Sequence, residues 1–491
     1  MAGGRYQQLD AEERVLNESW LDVLRVSALV AALAVLVWAV CTALRWVVHE
    51  GTHTLFAMVM EHGLLGAWAL LALLALGGFV RILLIRKFGW GEAAGDGMAE
   101  ALGNYHITYE CDTDDPQPRY SRPTFGLAVR KVIMTLLTLL TGASGGLESP
   151  VVLIAESLGA GWARLTRTVS EHELRTYQLS AIGAAVGALL GAPFAAALFA
   201  TEIAYADRII YRKFAYALFA AIIAYMLNNH VAGFDPLFVA APHDRIYSFT
   251  EYGVTSLVAV AVSAPIALGF GFLMTLGRGV TARSGTFAVG ILAPIAAGAI
   301  ALALWWGLGL ELQHVLGGGE ATIHDLLNPV VHAEPGHGDE HHAIAHPLGL
   351  SSASLGLWWV LLIALVGRML TTGLTLQSGG SAGLLIPAMV MGGVGGAVVG
   401  QLIQLTGLFP PMDVTPFVVS GIASALVAVV GVPLAAIALV LEVFGAAYGP
   451  PAILAVGLTY VLTVRFTVYR TQRVSSPSNA DEADEPPAGE P

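Results

Sequence analysis

A glutamate stands directly after a Gly-rich break between two apolar stretches, in the segment Gly142–Pro150. Pro150 stands where a first-turn proline would, because its missing N–H costs nothing there. The other first-turn N–H groups can bind an anion, assisted by the helix dipole. The Glu148 carboxylate would compete with that anion and leave when protonated, so it is predicted to be a pH-dependent gate. The alternative is that Glu148 only caps the helix, a role that Ser149 could also fill.

The composition is that of a polytopic membrane protein, with 56% hydrophobic and 12% charged residues and a mean hydropathy of +0.69. An all-α fold is expected, without enzymatic activity, a cofactor or a nucleic-acid partner. Seven apolar runs are each long enough to cross a bilayer core of about 30 Å. They are Val26–Leu44, Leu64–Leu84, Ser180–Ala204, Val254–Leu276, Ala288–Leu310, Leu357–Leu376 and Val418–Val443.

The two ends of the chain are polar. Residues 1–20 have no short apolar segment ending in a cleavage site, which predicts a cytoplasmic N-terminus without a removed signal peptide. Residues 471–491 are predicted to be a disordered acidic tail, also cytoplasmic. Two cysteines are too few for a disulfide framework or a thiolate metal site. The expected location is an inner or plasma membrane.

An internal repeat organises the chain. Residues 180–203 and 420–443 match without gaps at an offset of 240 residues, with nine identities in twenty-four positions. Cations follow the first copy closely but not the second, so the positive-inside rule puts the equivalent helix ends on opposite sides of the membrane. This pattern predicts an inverted repeat with discontinuous helices, the first half at 21–240 and the second at 241–470.

A second Gly-rich break, Gly379–Gly383, also precedes a proline, Pro387, and then continues as an apolar run. Irregular backbone at membrane depth must be buried in protein or line a water-filled cavity. The two breaks are therefore predicted to share one site near the midplane.

Four motifs, in order along the chain, resemble those of the CLC family of chloride channels and proton-coupled chloride transporters. Residues 146–150 resemble its Gly-Arg-Glu-Gly-Pro, whose glutamate is the gate, and residues 383–387 resemble its Gly-x-Phe-x-Pro. Residues 95–99 are similar to its Gly-Ser-Gly-Ile-Pro, and residues 191–202 to the helix with the internal proton glutamate. The likeness covers about residues 64–468. It implies an all-helical inverted-repeat fold, a homodimer and one anion pathway per subunit.

The resemblance also implies a set of residues around chloride or another small anion, with Glu148 as the gate. They are Asp96, Gly97, Gly146, Leu147, Ser149, Gly383, Leu384, Leu385 and Tyr469. Tyr469 would be the family's donor from the last helix, although an approximate count puts Arg473 at that position and Tyr469 one turn earlier.

Asp96 stands where the family has a serine that donates a hydrogen bond to the central anion. An ionised aspartate only accepts hydrogen bonds, and at about 4 Å it would repel an anion by about 4 kcal/mol for an effective dielectric of about 20. Either Asp96 is protonated and donates, or it turns away, or the site has moved or accepts another substrate. It is also a candidate N-cap for the helix predicted after Met98, and the two roles are compatible.

The internal proton glutamate of the family aligns with Ile203, which cannot carry a proton. Glu202, one residue earlier, is a candidate proton relay, but its repeat counterpart Glu442 favours a shared structural role. Arg368 lies deep in an apolar run and is expected to pair with a buried acid, because an unpaired charge is costly in the membrane.

A His-rich segment, residues 324–346, lies in a region without Lys or Arg, which predicts a loop on the non-cytoplasmic side. Its histidines, with His337, His341 and His342 as candidate ligands, could bind zinc or copper or sense pH. The alternative is a solvated loop without a specific role, because Gly and Pro interrupt any fixed ligand geometry.

These observations predict an anion channel or transporter, passive or atypically coupled, with chloride as the default ion. The first alternative is a proton-coupled exchanger for chloride, fluoride or bicarbonate that uses Glu148 with Asp96 or Glu202 as the inner relay. An alternative of another class is a membrane sensor of pH or metal, with the His-rich loop as its receptor.

Overall fold

The structure is a computed structural model that describes residues 20–107, 124–168, 171–204, 209–233, 238, 248–284, 286–328, 357–407 and 413–463. Within these ranges the chain is almost entirely helical, and its β-pairing is limited to an isolated bridge. The prediction of an all-α polytopic membrane protein is confirmed.

Sixteen α-helices follow one another in the described ranges. They are α1 (Trp20–Glu61), α2 (Gly63–Phe88), α3 (Met98–Ile107), α4 (Phe125–Leu139), α5 (Glu148–Leu165), α6 (Glu171–Leu190), α7 (Pro193–Glu202), α8 (Tyr211–Leu227), α9 (Phe249–Ser284), α10 (Thr286–Leu308), α11 (Glu320–Leu327), α12 (Trp358–Gln377), α13 (Leu385–Thr406), α14 (Thr415–Val430), α15 (Pro433–Leu439) and α16 (Gly449–Thr463). Short 3₁₀ turns lie at Trp90–Ala93, Leu312–His314 and Ala446–Tyr448, and π turns at Asn228–Ala232 and Val440–Phe444.

Seven helical segments of the described ranges are long and apolar enough to cross a membrane. They are Trp20–Glu61, Gly63–Phe88, Tyr211–Ala232, Phe287–Leu308, Trp358–Gln377, Leu385–Thr406 and Ala446–Thr463. Helix α14 is different, because all sixteen of its residues are buried and it therefore lies inside protein rather than against lipid.

Two of the predicted spans were wrong as continuous helices. The run 180–204 is divided into α6 and α7, and the run 418–443 into α14 and α15. Each break has a glycine in the left-handed region, Gly191 with φ 67° and Gly431 with φ 82°. A proline two residues later begins the second helix, where its missing N–H costs nothing. Apolar composition continues through both breaks, which is why each run resembles one span.

Two glutamates tie the repeat halves together. The Glu202 carboxylate, at the end of α7, accepts the first N–H groups of α15 at 3.0 and 2.9 Å. The Glu442 carboxylate, just after α15, accepts the first N–H groups of α7 at 3.0 and 2.7 Å. Because each carboxylate follows its own helix and caps the start of the other, α7 and α15 run antiparallel. This arrangement agrees with the predicted inverted repeat.

A second set of hydrogen bonds relates the two repeat halves in the same reciprocal way. In one half of the pair, Ser381 donates its N–H to Thr138 Oγ1 at 2.9 Å, and its hydroxyl forms a hydrogen bond with the Thr135 hydroxyl at 2.9 Å. In the other half, the Ser144 N–H donates to a threonine hydroxyl of α12 at 3.2 Å, and the Ser144 hydroxyl bonds a second α12 threonine at 2.9 Å. The Gly-rich segments before α5 and α13 are thus each fixed by a helix of the opposite half.

Candidate functional site

The two Gly-rich breaks meet inside the protein. The Gly146 N–H donates to the Gly383 carbonyl at 2.9 Å, and the Gly383 N–H donates to the Gly146 carbonyl at 2.6 Å. This two-residue bridge places the starts of α5 and α13 side by side. The structure therefore brings together the residues that sequence reasoning assigned to both breaks, from Gly146 to Ser149 and from Gly383 to Leu385.

The starts of α5 and α13 present backbone N–H groups at this bridge. The first intrahelical bonds are accepted by the Leu147 and Leu384 carbonyls, so the N–H groups at 147–149 and 384–386 precede them. Pro150 and Pro387 are each the third residue of their helix, within the first turn as predicted. Two helix N-termini at one point give a positive potential that favours an anion.

The gate candidate, Glu148, is the first residue of α5 and is 2% exposed. Its carboxylate folds back toward the backbone N–H groups of Leu147 and of Glu148 itself. Oε2 has no hydrogen-bond partner among the described residues and lies against Gly146, where an added Cβ would overlap it. The carboxylate therefore occupies the helix N-terminus that would attract an anion. Glu320 and Arg45 also interact with it electrostatically.

Ser149 does not act as the alternative cap. Helix α5 has no side-chain cap at its N-terminus, and the buried Ser149 Oγ has no hydrogen-bond partner among the described residues. Its hydroxyl is therefore a buried hydrogen-bond donor that lies beside the bridge.

The third loop of the predicted site, Gly95–Gly97, begins α3. Asp96 Oδ1 accepts the Met98 N–H at 3.2 Å, so Asp96 has the predicted capping role. Sequence reasoning missed the residue that holds this loop, Lys131 of α4. Lys131 is fully buried and donates to the carbonyls of Gly95 at 2.8 Å and Ala93 at 3.3 Å.

The Lys131 ammonium also affects the charge near the loop. It interacts electrostatically with Asp96 and with Glu100, one turn further along α3. A cation beside Asp96 reduces the repulsion that a carboxylate would impose on a nearby anion. Lys131 therefore supplies a positive charge beside Asp96, the residue that stands where the family has a serine.

We expect Asp96→Ser to strengthen anion binding. Serine can retain the cap, since its hydroxyl also accepts an N–H, while the negative charge is removed. A gain on the order of tenfold in chloride affinity, about 1.4 kcal/mol, should appear in a calorimetric titration of purified protein. Asp96→Ala is the matched control, because it removes the same charge and also the cap. Equal affinity in the wild type and both variants would show that Asp96 only caps α3.

Arg368 corrects an expectation, because its hydrogen bonds go to backbone carbonyls and not to a buried acid. It donates to the carbonyls of Leu316 and Gly317, at 2.7 Å each, and to that of Gly318. A buried guanidinium has five donors in a fixed fork, and a run of carbonyls satisfies several at once. Glu320 contributes an electrostatic interaction. The loop held in this way also accepts the Gly145 N–H through the Gly317 carbonyl at 3.0 Å.

Lys131 and Arg368 are counterparts in the two halves. They lie 237 residues apart, the same offset that relates Gly146 to Gly383 and Ser144 to Ser381. Each is buried, and each binds the carbonyls of a Gly-containing loop that precedes a short helix. A comparison of the sequence at this second offset could have identified both cations.

The structure does not place Glu202 among the groups at the bridge. Both of its carboxylate oxygens accept N–H groups of α15, and the neighbouring Ile203 is fully buried. These contacts favour the structural role that its counterpart Glu442 suggested, over the role of proton relay.

Several predicted residues lie outside the described residues. They are Tyr469, Arg473, His337, His341, His342, the acidic tail and residues 1–19. In the described ranges, no group of three or more His, Cys, Asp or Glu residues is arranged to hold a metal ion.

The fold and the bridge together define an integral membrane protein with helix N-termini converging on one buried site. Residues 77–464 match the sequence profile of the family described as voltage gated chloride channel. Because this match covers most of the chain, the protein belongs to that family.

Solved structures of similar fold are CLC proteins. A CLC-type fluoride/proton antiporter has a similar structure, with a TM-score of 0.68, 19% identity and coverage of 93% of this chain and 100% of that one. A slow cyanobacterial Cl⁻/H⁺ antiporter has a TM-score of 0.70 and 14% identity, with coverage of 90% of this chain and 94% of that one. A eukaryotic CLC transporter has a TM-score of 0.66 and 16% identity, with coverage of 92% of this chain and 74% of that one. At these identities the likeness concerns the fold alone.

One curated relative is an uncharacterized protein of Methanocaldococcus jannaschii. It is 32% identical over 110 residues, which are 22% of this chain and 26% of that protein. The match therefore spans only about a quarter of that relative's length.

Proposed function

We propose that this protein moves a small anion across the membrane, with chloride as the default ion and Glu148 as a protonatable gate. The proposal rests chiefly on the Glu148 carboxylate, which is folded onto the first N–H groups of α5 beside the Gly146–Gly383 bridge. A carboxylate in this position acts as a tethered competitor of the anion. Protonation removes its charge and weakens its hold on the amides, so anion flux should depend on pH.

The anion would be bound mainly by backbone N–H groups. The starts of α5 and α13 supply those of Leu147, Ser149, Leu384 and Leu385, and the Ser149 hydroxyl adds a donor. The serine of the family is absent at position 96, so Lys131 would offset the charge of Asp96. The family resemblance further implies a homodimer with one pathway per subunit, in an inner or plasma membrane with both termini cytoplasmic.

Reconstitution into chloride-loaded liposomes, with chloride efflux and proton movement recorded together, tests this function. We expect chloride efflux that rises as the pH falls, because acid protonates the gate. An absence of anion flux at every pH would contradict the proposal and favour a sensor. Replacing chloride with fluoride or bicarbonate in parallel liposomes identifies the preferred ion.

The proton record separates the two transport mechanisms. Uphill proton movement at a fixed ratio to the anion indicates a proton-coupled exchanger, whereas anion efflux without it indicates passive flow. Glu148 is buried, so a proton-coupled exchanger also needs a second protonatable group that connects Glu148 to solution.

A further inference from the structure

Helix α5 carries a second buried carboxylate, Glu156, that no role above accounts for. Glu156 is fully buried and stands eight residues beyond Glu148, which is about 12 Å along the helix axis. An ionisable side chain inside a membrane protein is costly to bury and by default marks a functional path. Its position on the gate helix makes it the nearest such group to the gate along α5.

Neutral donors from three positions contact the Glu156 carboxylate. Gln178 of α6 donates its side-chain amide at 2.7 Å, Asn104 of α3 donates at 3.3 Å, and the adjacent Ser157 hydroxyl donates at 3.4 Å. Amide and hydroxyl groups can rotate to donate to a carboxylate or to accept from a carboxylic acid. The cluster can therefore hold Glu156 in both protonation states.

Helix α3 connects this cluster to the loop at the site. Glu100 and Asn104 are four residues apart on α3 and so lie on one face, with a rise of about 6 Å between them. Asp96 stands four residues before Glu100, just before the helix begins. Asp96 and Glu100 are partly exposed, while Asn104 is 1% exposed and contacts Glu156. Two partly exposed carboxylates, Asp96 and Glu100, thus lead toward the Asn104 amide, which contacts the buried carboxylate on the gate helix.

The same end of α3 contacts the position where the family's internal proton group is missing. His106, also buried, hydrogen-bonds the Ala204 carbonyl through Nε2 at 3.0 Å, next to Ile203. Glu202 is held there by two N–H groups of α15, which leaves its oxygens committed to capping. Glu156 is instead held by side chains that can reorient.

We infer that Glu156 is a proton-relay residue of an anion/proton exchanger, loaded along α3 and unloaded toward Glu148. This inference rests on the proposed function. In each cycle the Glu156 carboxylic acid gives one proton through water to the Glu148 carboxylate, and the Glu156 carboxylate then takes one proton from the α3 side. No electrons or other groups are transferred.

The other ionisable groups on the elements packed around α5 contribute to the electrostatic potential at the Glu156 carboxyl group. On α1, α3, α4, α6 and the loop before α3 they include Arg25, Arg45, Asp96, Glu100, His106, Lys131, His172, Glu173, Arg175 and Tyr177.

The test measures proton and anion flux together in liposomes that contain the full-length protein. We expect Glu156→Gln to lower proton flux by on the order of tenfold or more, while anion flux persists and the proton-to-anion ratio collapses. Glu156→Asp should restore much of the ratio, because it returns a protonatable group. Glu202→Gln and Glu442→Gln are the matched controls, and we expect a lower Tm but an unchanged ratio for both.

Four results would overturn the inference. The first is a wild type that moves anions without protons, which leaves the proposed anion transport intact. The second is an unchanged ratio in Glu156→Gln, and the third is a ratio lost in Glu202→Gln but kept in Glu156→Gln. The fourth is loss of both fluxes together with a lowered Tm in both Glu156 variants, which would identify Glu156 as structural. An absence of anion flux in the wild type would contradict the proposed function itself.

Discussion

Glu148→Gln is expected to raise anion flux on the order of tenfold at neutral pH, which corresponds to about 1.4 kcal/mol, and to remove most of its pH dependence. Glutamine has nearly the shape of glutamate but carries no charge and does not titrate. Its amide oxygen also attracts the N–H groups of Leu147 and of residue 148, but a neutral acceptor forms a hydrogen bond about half as strong as that of a carboxylate. An anion then displaces the side chain more readily.

The measurement is chloride efflux from liposomes at a series of pH values, for the wild type and for the variant. Chloride efflux through the wild type should become faster as the pH falls, and efflux through Glu148→Gln should be fast at every pH. Glu50→Gln removes a carboxylate from an exposed position of α1 and serves as the control. If Glu148→Gln keeps both the rate and the pH profile of the wild type, Glu148 is not the gate.

Local patterns in the sequence predicted where the two helix breaks of this site lie. Glycines followed by prolines identified both breaks, since only a few backbone arrangements satisfy such a sequence at membrane depth. The carboxylate at Glu148 was recognisable because it stands directly before free helix amides. These features depend on neighbours in the chain, and neighbours are visible in a sequence.

The supporting contacts were not predicted in the same way. Lys131 and Arg368 bind backbone carbonyls of distant loops, and every residue type provides a carbonyl. Charge complementarity suggested an acid as the partner of Arg368, whereas a run of carbonyls satisfies more of its donors. The contact between Glu156 and Asn104 likewise depends on how α3 packs on α5.

The second large effect is expected for Gly383→Ala, which should reduce anion flux by on the order of tenfold or more, because overpacking a close contact costs about 1–3 kcal/mol. An added Cβ would lie 2.9 Å from the Ser149 backbone N and 3.1 Å from both the Gly146 carbonyl oxygen and Pro150 Cδ. Backbone atoms and a proline ring cannot rotate away as a flexible side chain can. The two helix starts must therefore separate.

Separation would affect flux more than folding, because the bridge consists of two hydrogen bonds whereas α5 and α13 are buried along most of their length. The amides of both helices contribute to one site only while they converge, since the attraction of a helix N-terminus falls off within about one turn. Gly457→Ala in α16 is the matched control, because no atom lies within 4 Å of its added Cβ. Flux equal to that control, with an unchanged Tm, would show that anions cross the protein without passing the bridge, and the binding site would then have to lie elsewhere.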